Sequence, residues 1–346
     1  MGSSHCEPLL FNTASEWKRD KMGEWDYINN RAGVDSVLRA RANECAPFEN
    51  VYTLALRGLH DRAMNASNNM SDRKQMLQDA LMAQRKMLID ATGKRGEDIP
   101  QAFTPYKEVL DVYDEGLELP DDVTIIWPDD NYGYMKRLSS PKEQKRSGRS
   151  GVYYHSSYLG KPHDHLWMNT TSPTLMYEEL RKAYDMTADR IWLLNAGDIK
   201  ACEFAVDFFL SMAYDIYSFN FDRAAAYRTE WLCGMLGDEY RNEYQDVLNS
   251  FYKLAFARRP EFMGWGYQWA TDKHGRERNT DTDFSLTNYR EVDSRLSEYR
   301  RIGSITEEIL NKLPEEKKAC FYQSMYYPVK GCELSVSYTH LTLPTT

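Results

Sequence analysis

Arg57 and Asp61 stand four residues apart, and Glu108 follows in the run Pro105-Tyr106-Lys107-Glu108. An arginine beside a cleft clamps a carboxylate through two parallel hydrogen bonds, and a nearby carboxylate works as an acid or a base. Each has a plainer reading. Arg57 and Asp61 can simply be an ion pair that shapes a loop, and Glu108 a helix N-terminal residue favoured by the macrodipole. Taken together they suit a sharper chemistry. Two carboxylates across a sugar-sized pocket are what glycosidic cleavage requires, and their separation decides whether configuration is retained or inverted. Asp129, Asp130 and Asn131 come next, with an Asx-turn as the plainer alternative; neighbouring residues at a strand end point opposite ways, so at most two of the three share a side. His155 and Tyr158, in YYHSSY, offer an imidazole and a phenol for hydroxyls or a carboxylate. Asn195, Gly197 and Asp198 complete the set, the glycine allowing backbone to come close to a ligand. His163-Asp164-His165 would put two imidazoles on one face of a strand, but after Lys161-Pro162 it reads as a loop.

Five apolar runs must position these groups: VYTLALRG, IPQAFTPY, VTIIWPDDN, GVYYHSSY and RIWLLNAGD, each leading into one polar cluster. Parallel strands buried on both faces read as continuous apolar runs, and ligands sit beyond their carboxyl ends. The segments between them have helical spacing. SDRKQMLQDALMAQRKMLIDAT opens with Ser71 as N-cap and closes at Gly93, and SPTLMYEELRKAYDMT places Pro173 at the first helical position. The expectation is an α/β fold, a partial (β/α)8 TIM barrel. Counting MGSSH at the start, it has about six of eight βα units over residues 1–216. From Tyr217 the strands vanish, and residues 217–334 read as an α-helical bundle. Its long aromatic insertion, FMGWGYQWATDKHGRERNTD, suits a structural loop better than a sugar-stacking one. Residues 335–346 (SVSYTHLTLPTT) break the pattern. Val336 to Leu341 can be encoded by a transposon-end adapter, so this tail is expected to be non-native read-through.

The bulk properties exclude several classes. With 346 residues, 42% of them hydrophobic, the chain affords large cores. A net charge of −9 without a basic stripe argues against a nucleic-acid partner. No 18-residue apolar stretch exists to span a membrane. The six cysteines show no CxxC spacing, which argues against structural zinc and against a disulfide framework. No GxSxG, P-loop or GxGxxG falls at a suitable position.

Arg57-Gly58 with Asp61, YKEV, PDDVTIIWPDDNYG, GVYYHSSYLGKPHDHLWMNTTSP and RIWLLNAGDIK together resemble glycoside hydrolase family 115, the xylan α-glucuronidases, over roughly His5 to Arg259. The resemblance implies removal of (4-O-methyl)-glucuronic acid, α-1,2-linked to xylose in plant glucuronoxylan or its oligosaccharides, with inversion and without a cofactor or metal. It implies Asp61 and Glu108 as the catalytic pair, and His5, Arg57, Tyr106, Asp129, Asn131, His155, Tyr158 and Asn195 as substrate-binding residues. Members have an N-terminal α/β domain, the barrel, a helical domain and a C-terminal β domain, and are often dimers. It points to a bacterial protein that is periplasmic or secreted. The chain departs from the pattern in having His5-Cys6 where paired histidines are usual, and in lacking counterparts of the flanking domains and first strands; the piece alone is therefore expected to be inactive. Two rivals remain: a metal-dependent barrel hydrolase using His155, His163, His165 and Asp198, and a non-catalytic glycan-binding relative.

Overall fold

The computed structural model describes the chain apart from Met1, Ser4, residues 161–163, Trp167, and residues 263–269, 272–276, 279–287 and 343–346. The described residues form two compact units that no single cut in the sequence separates. The first comprises residues 1–128, 135–153 and 182–193; the second comprises 129–134, 154–181 and 194–346.

The first unit begins with α1 (Arg19–Met22) and α2 (Arg31–Cys45), then β1 (Tyr52–Thr53), α3 (Met70–Thr92), β2 (Gln101–Phe103), α4 (Glu108–Asp114) and β3 (Thr124–Pro128). The next strand, β4 (Ser150–His155), pairs with β3 in parallel, as β1 does with β2 and β2 with β3. Strand β3 is buried along its whole length, which is why its sequence is continuously apolar. The short strands β5 (Leu159–Gly160) and β6 (Asp164–His165), which belong to the second unit, pair antiparallel, so residues 164 and 165 are strand rather than the expected loop. After α5 (Pro173–Asp185) comes β7 (Trp192–Asn195), which completes a five-stranded half-barrel in the order β1-β2-β3-β4-β7.

The expected sixth strand at MGSSH is not one among the described residues. Thr53 donates its hydroxyl to the Ser3 carbonyl (3.0 Å), a side chain standing where a ladder would need a backbone amide, and His5 and Cys6 lie in a turn. Helix α3 starts one residue before Ser71, with Asn69 as its cap: the Asn69 side chain accepts from the amides of Ser71 (2.8 Å) and Asp72 (3.4 Å). It ends at Gly93, whose φ of 67° gives the left-handed cap expected there. Helices α2 and α3 face each other through Val34, Leu38, Leu77, Leu81 and Leu88, all buried in the first core.

The second unit is mainly helical: α6 (Ile199–Tyr214), α7 (Phe221–Leu236), α8 (Arg241–Ala257), α9 (Glu291–Lys312), α10 (Glu315–Phe321) and α11 (Tyr327–Thr342). Its core joins Leu232, Tyr244, Phe251, Tyr299, Ile302 and Phe321. Buried Arg295 donates to the carbonyls of Leu254 (3.0 Å) and Arg258 (2.7 Å), capping the end of α8 from α9. Helix α11 continues through residues 335–342, with Val336 fully buried, so this part of the expected tail packs as helix. The aromatic insertion lies mostly outside the described residues.

Candidate active site

In the first unit the functional groups gather around one buried guanidinium. Ladder bonding of β1 gives out after Leu54, whose amide still reaches the Ala102 carbonyl (2.8 Å). Gln84, fully buried on α3, then takes over: it donates to the Ala55 carbonyl (2.7 Å) and accepts from the Ala55 amide (3.0 Å). Trp25 Nε1 fixes the Arg57 carbonyl at 2.6 Å. Arg57 is thus set rigidly, with its side chain only 3% exposed.

Arg57 Nε lies 2.6 Å from Asp61 Oδ1, and Nη1 lies 3.1 Å from Glu108 Oε2. Nη1 also reaches the Tyr106 carbonyl (3.2 Å), and Nη2 the Asp61 carbonyl (3.0 Å). Glu108 is the first residue of α4, and its other oxygen accepts from the Met64 amide (3.3 Å). The second partner of Asp61 is His5, with Nε2 3.1 Å from Oδ1. The His5 ring packs against Tyr106 (4.5 Å, edge-on) and Tyr153 (5.2 Å), whose own rings meet at 5.9 Å. Asp61 and the residue before Glu108, Lys107, both have positive φ (59° and 53°), which non-glycine residues adopt rarely and which clusters at functional sites.

Burial works to raise the Asp61 pKa, but the His5 hydrogen bond and the charges of Arg57 and Lys107 outweigh it and hold the group below its ordinary value. Asp61 is therefore a carboxylate built to stay ionised. His5, Cys6 and Asp61 also bring one donor atom each within 4.8 Å of one another, an N, S and O set of the kind that zinc takes. Arg57 on the same Asp61 oxygen opposes a second cation there.

In the second unit another constellation forms around Asp129. One carboxylate oxygen accepts from the Asn131 amide (3.0 Å) and meets His155 Nδ1 at 2.5 Å; the other accepts from the amides of Gly133 (3.1 Å) and His155 (3.0 Å). Asp130 holds the same turn through the amides of Tyr132 (3.0 Å) and Tyr134 (3.1 Å), and Asn131 takes a φ of 72°. Gly133 has a φ of 95°, and a Cβ there would fall 2.7 Å from the Tyr154 hydroxyl. Tyr158 sets its ring edge-on to His155 (5.7 Å) and to Tyr132 (6.3 Å). Asn195 accepts from the amides of Ser156 (3.1 Å) and Ser157 (3.3 Å) through its carbonyl, and from Gly197 through its side chain (3.3 Å). Gly197 has a φ of 61°, and a Cβ added there would lie 2.5 Å from the Ser157 hydroxyl. A cavity of about 460 Å³ opens elsewhere, at the amino ends of β1 and β2 beside Phe48, Tyr52, Ile99 and Pro100, and contains none of these residues.

The sequence profile described as glycosyl hydrolase family 115 matches residues 1–262. The chain belongs to that family. A solved structure titled as a novel family GH115 4-O-methyl-alpha-glucuronidase, BtGH115A, with specificity for decorated arabinogalactans superposes with a TM-score of 0.90 at 37% identity. The match covers 98% of this chain and 44% of that one, so the chain spans less than half of that relative's length. A search of curated proteins finds no match.

For this family 115 chain, the structure brings His5, Arg57, Asp61, Tyr106 and Glu108 together in one unit and Asp129, His155 and Tyr158 together in the other. Of the four donors named for a metal hydrolase, His155 is bonded to Asp129 and Asp198 stands at the start of α6, while His163 and the side chain of His165 lie outside the description. Sequence reasoning missed Tyr153, Lys107, Gln84 and Trp25. Tyr153 shares the YYHSSY run and was in view; Gln84 and Trp25 carry no local signal, because their work depends on distant backbone.

Proposed function

We propose that the protein is a glycosidase that removes (4-O-methyl)-glucuronic acid from a plant polysaccharide by an inverting acid–base mechanism. The observation that carries this reading is the Arg57-centred group, in which one guanidinium gathers two carboxylates, one of them also held by a histidine. Family membership and the likeness to a 4-O-methyl-alpha-glucuronidase support it. Asp61, kept ionised, suits the base that draws a proton from water, which leaves Glu108 to protonate the departing glycosidic oxygen. Arg57, Tyr106, Asn131, His155, Tyr158 and Asn195 serve the uronate and its hydroxyls, while His5 acts on Asp61. The acceptor follows the sequence reading, xylose in glucuronoxylan through an α-1,2 linkage; the relative's title names decorated arabinogalactans instead, and the assay must include both.

The test is to incubate the protein, expressed from its full reading frame, with glucuronoxylan and with decorated arabinogalactan, following released uronic acid and its first-formed anomer by NMR. Inversion and release from either polymer are expected. No release, or a retained anomer, defeats the reading. Asp61→Asn and Glu108→Gln should each lose about 10²–10⁴-fold in rate. A glucuronosyl fluoride, whose leaving group needs no proton, should restore turnover to Glu108→Gln and not to Asp61→Asn.

A further inference from the structure

Asp129 matches a family position read as substrate-binding, yet its surroundings leave little of it for substrate. Its carboxylate and the His155 side chain are both fully enclosed. Both oxygens are engaged by four donors: the amides of Asn131, Gly133 and His155, and the His155 ring at Nδ1. The three amides are fixed by a turn that also needs the positive φ of Asn131 and Gly133. The carboxylate is thus an immobile acceptor aimed at one imidazole nitrogen. A carboxylate held in this way dictates which nitrogen of a histidine carries the proton and how the ring is turned. Tyr158, edge-on at 5.7 Å, limits the ring from the side.

We infer that Asp129 is a positioning residue that acts through His155, fixing Nδ1 as the nitrogen that carries the proton and so setting how the imidazole is turned. Nδ1–H donates to Asp129 Oδ1, and no proton is transferred. Any part that His155 plays in the reaction rests on the glucuronidase reading; the tautomer does not. Two expectations separate this role from a merely structural one. Replacing Asp129 by Asn keeps the size and removes the charge, and an amide can turn its NH2 toward Nδ1 and so favour the opposite tautomer. The loss then falls on the chemistry of His155 while the fold remains.

The experiment labels the seven histidines of the full chain with 15N and reads their tautomers from two-bond proton–nitrogen correlations, with His155→Gln to identify the signal. Wild-type His155 should show Nδ1–H when neutral, and Asp129→Asn should shift it toward Nε2–H with a cooperative melt retained. On the substrate that is turned over, Asp129→Asn should cost about 10- to 100-fold in kcat/KM, with a changed pH profile. Wild-type His155 found as Nε2–H would overturn the inference without recourse to any variant. An Asp129→Asn protein that loses activity but keeps the Nδ1–H signature would overturn it too, because Asp129 would then touch substrate itself. If the tautomer behaves as expected while no uronic acid is released by wild type, the positioning role stands and the glucuronidase reading falls.

Discussion

Arg57 carries two carboxylates on one enclosed guanidinium, and a second arginine shows what such an arrangement does to an acid. Glu143 accepts from Arg137 Nη2 (2.8 Å) and Nη1 (3.0 Å), from the Ser140 amide (2.6 Å) and from the Tyr113 hydroxyl (2.8 Å). Burial pushes its pKa up, but these donors win and hold it at about 2, against 4.5 for a free glutamate. A carboxyl lowered on folding contributes stability that is present above its unfolded pKa and lost as pH falls through the folded one. After solvent screening the lowering corresponds to on the order of 1–2 kcal/mol at neutral pH. Glu143→Gln should therefore melt well below wild type at pH 7, and the gap should close as pH falls from about 4.5 toward 2; a gap independent of pH would contradict this account. Single residues were only partly legible in the sequence. The types at positions 57, 61, 108, 129 and 155 advertised their chemistry, but whether Asp129 meets a sugar or a histidine depends on three backbone amides, and those are set by a turn. Glu143 lies in Lys142-Glu143-Gln144-Lys145-Arg146, a short basic run that by its residue types alone reads as a solvated loop, because nothing local tells that Arg137 and Tyr113 will close on it.

At the level of elements, the apolar runs and the helical spacing between them were legible because parallel strands and amphipathic helices impose strong patterns. The MGSSH segment was not, since five residues without alternation specify no ladder. Strand β1 shows the other limit: VYTLALRG promises a long strand, and only Tyr52–Thr53 is one, because Gln84 from α3 replaces the ladder at Ala55. One close approach is demanding. An added Cβ at Gly151 of β4 would stand 1.9 Å from the Ile191 carbonyl and 2.9 Å from Ile126 Cδ1. The Val152 amide bonds that same carbonyl at 2.9 Å, so the backbone cannot back away without breaking the pairing. Gly151→Ala should cost about 1–3 kcal/mol in urea unfolding, the usual penalty for overpacking. Gly234 is the control. It is exposed within α7 with nothing within 4 Å of a new Cβ, and Gly234→Ala should stabilise by roughly 0.5–1 kcal/mol. Equal effects of the two substitutions would show that the β4 contact is not the constraint.

Across the whole molecule, the sequence foretold α/β structure giving way to helices, but not the division into units, since residues 129–134 and 154–181 join the helical part although they lie between strands. Turns such as Asp129–Tyr134 carry no periodicity to say which core they serve. Charge is a property legible without any fold. The chain carries −9, and its substrate in the proposed reaction carries a uronate. Around Asp61 the permanent charges offer no attraction at a distance: Arg57 and Lys107 balance Asp61 and Glu108, and at a pH that leaves His5 unprotonated an approaching anion meets the negative remainder. Such repulsion between exposed charges is screened over about 10 Å at 0.1 M salt. Capture of a glucuronic-acid-bearing oligosaccharide should thus improve with salt, with KM falling about two- to threefold between 0.01 and 0.2 M NaCl and kcat unchanged. The opposite slope is what a site with a net positive field gives. A KM that rises over this range would mean that cations other than Arg57 and Lys107 dominate the approach, and the balance drawn around Asp61 would have to be abandoned.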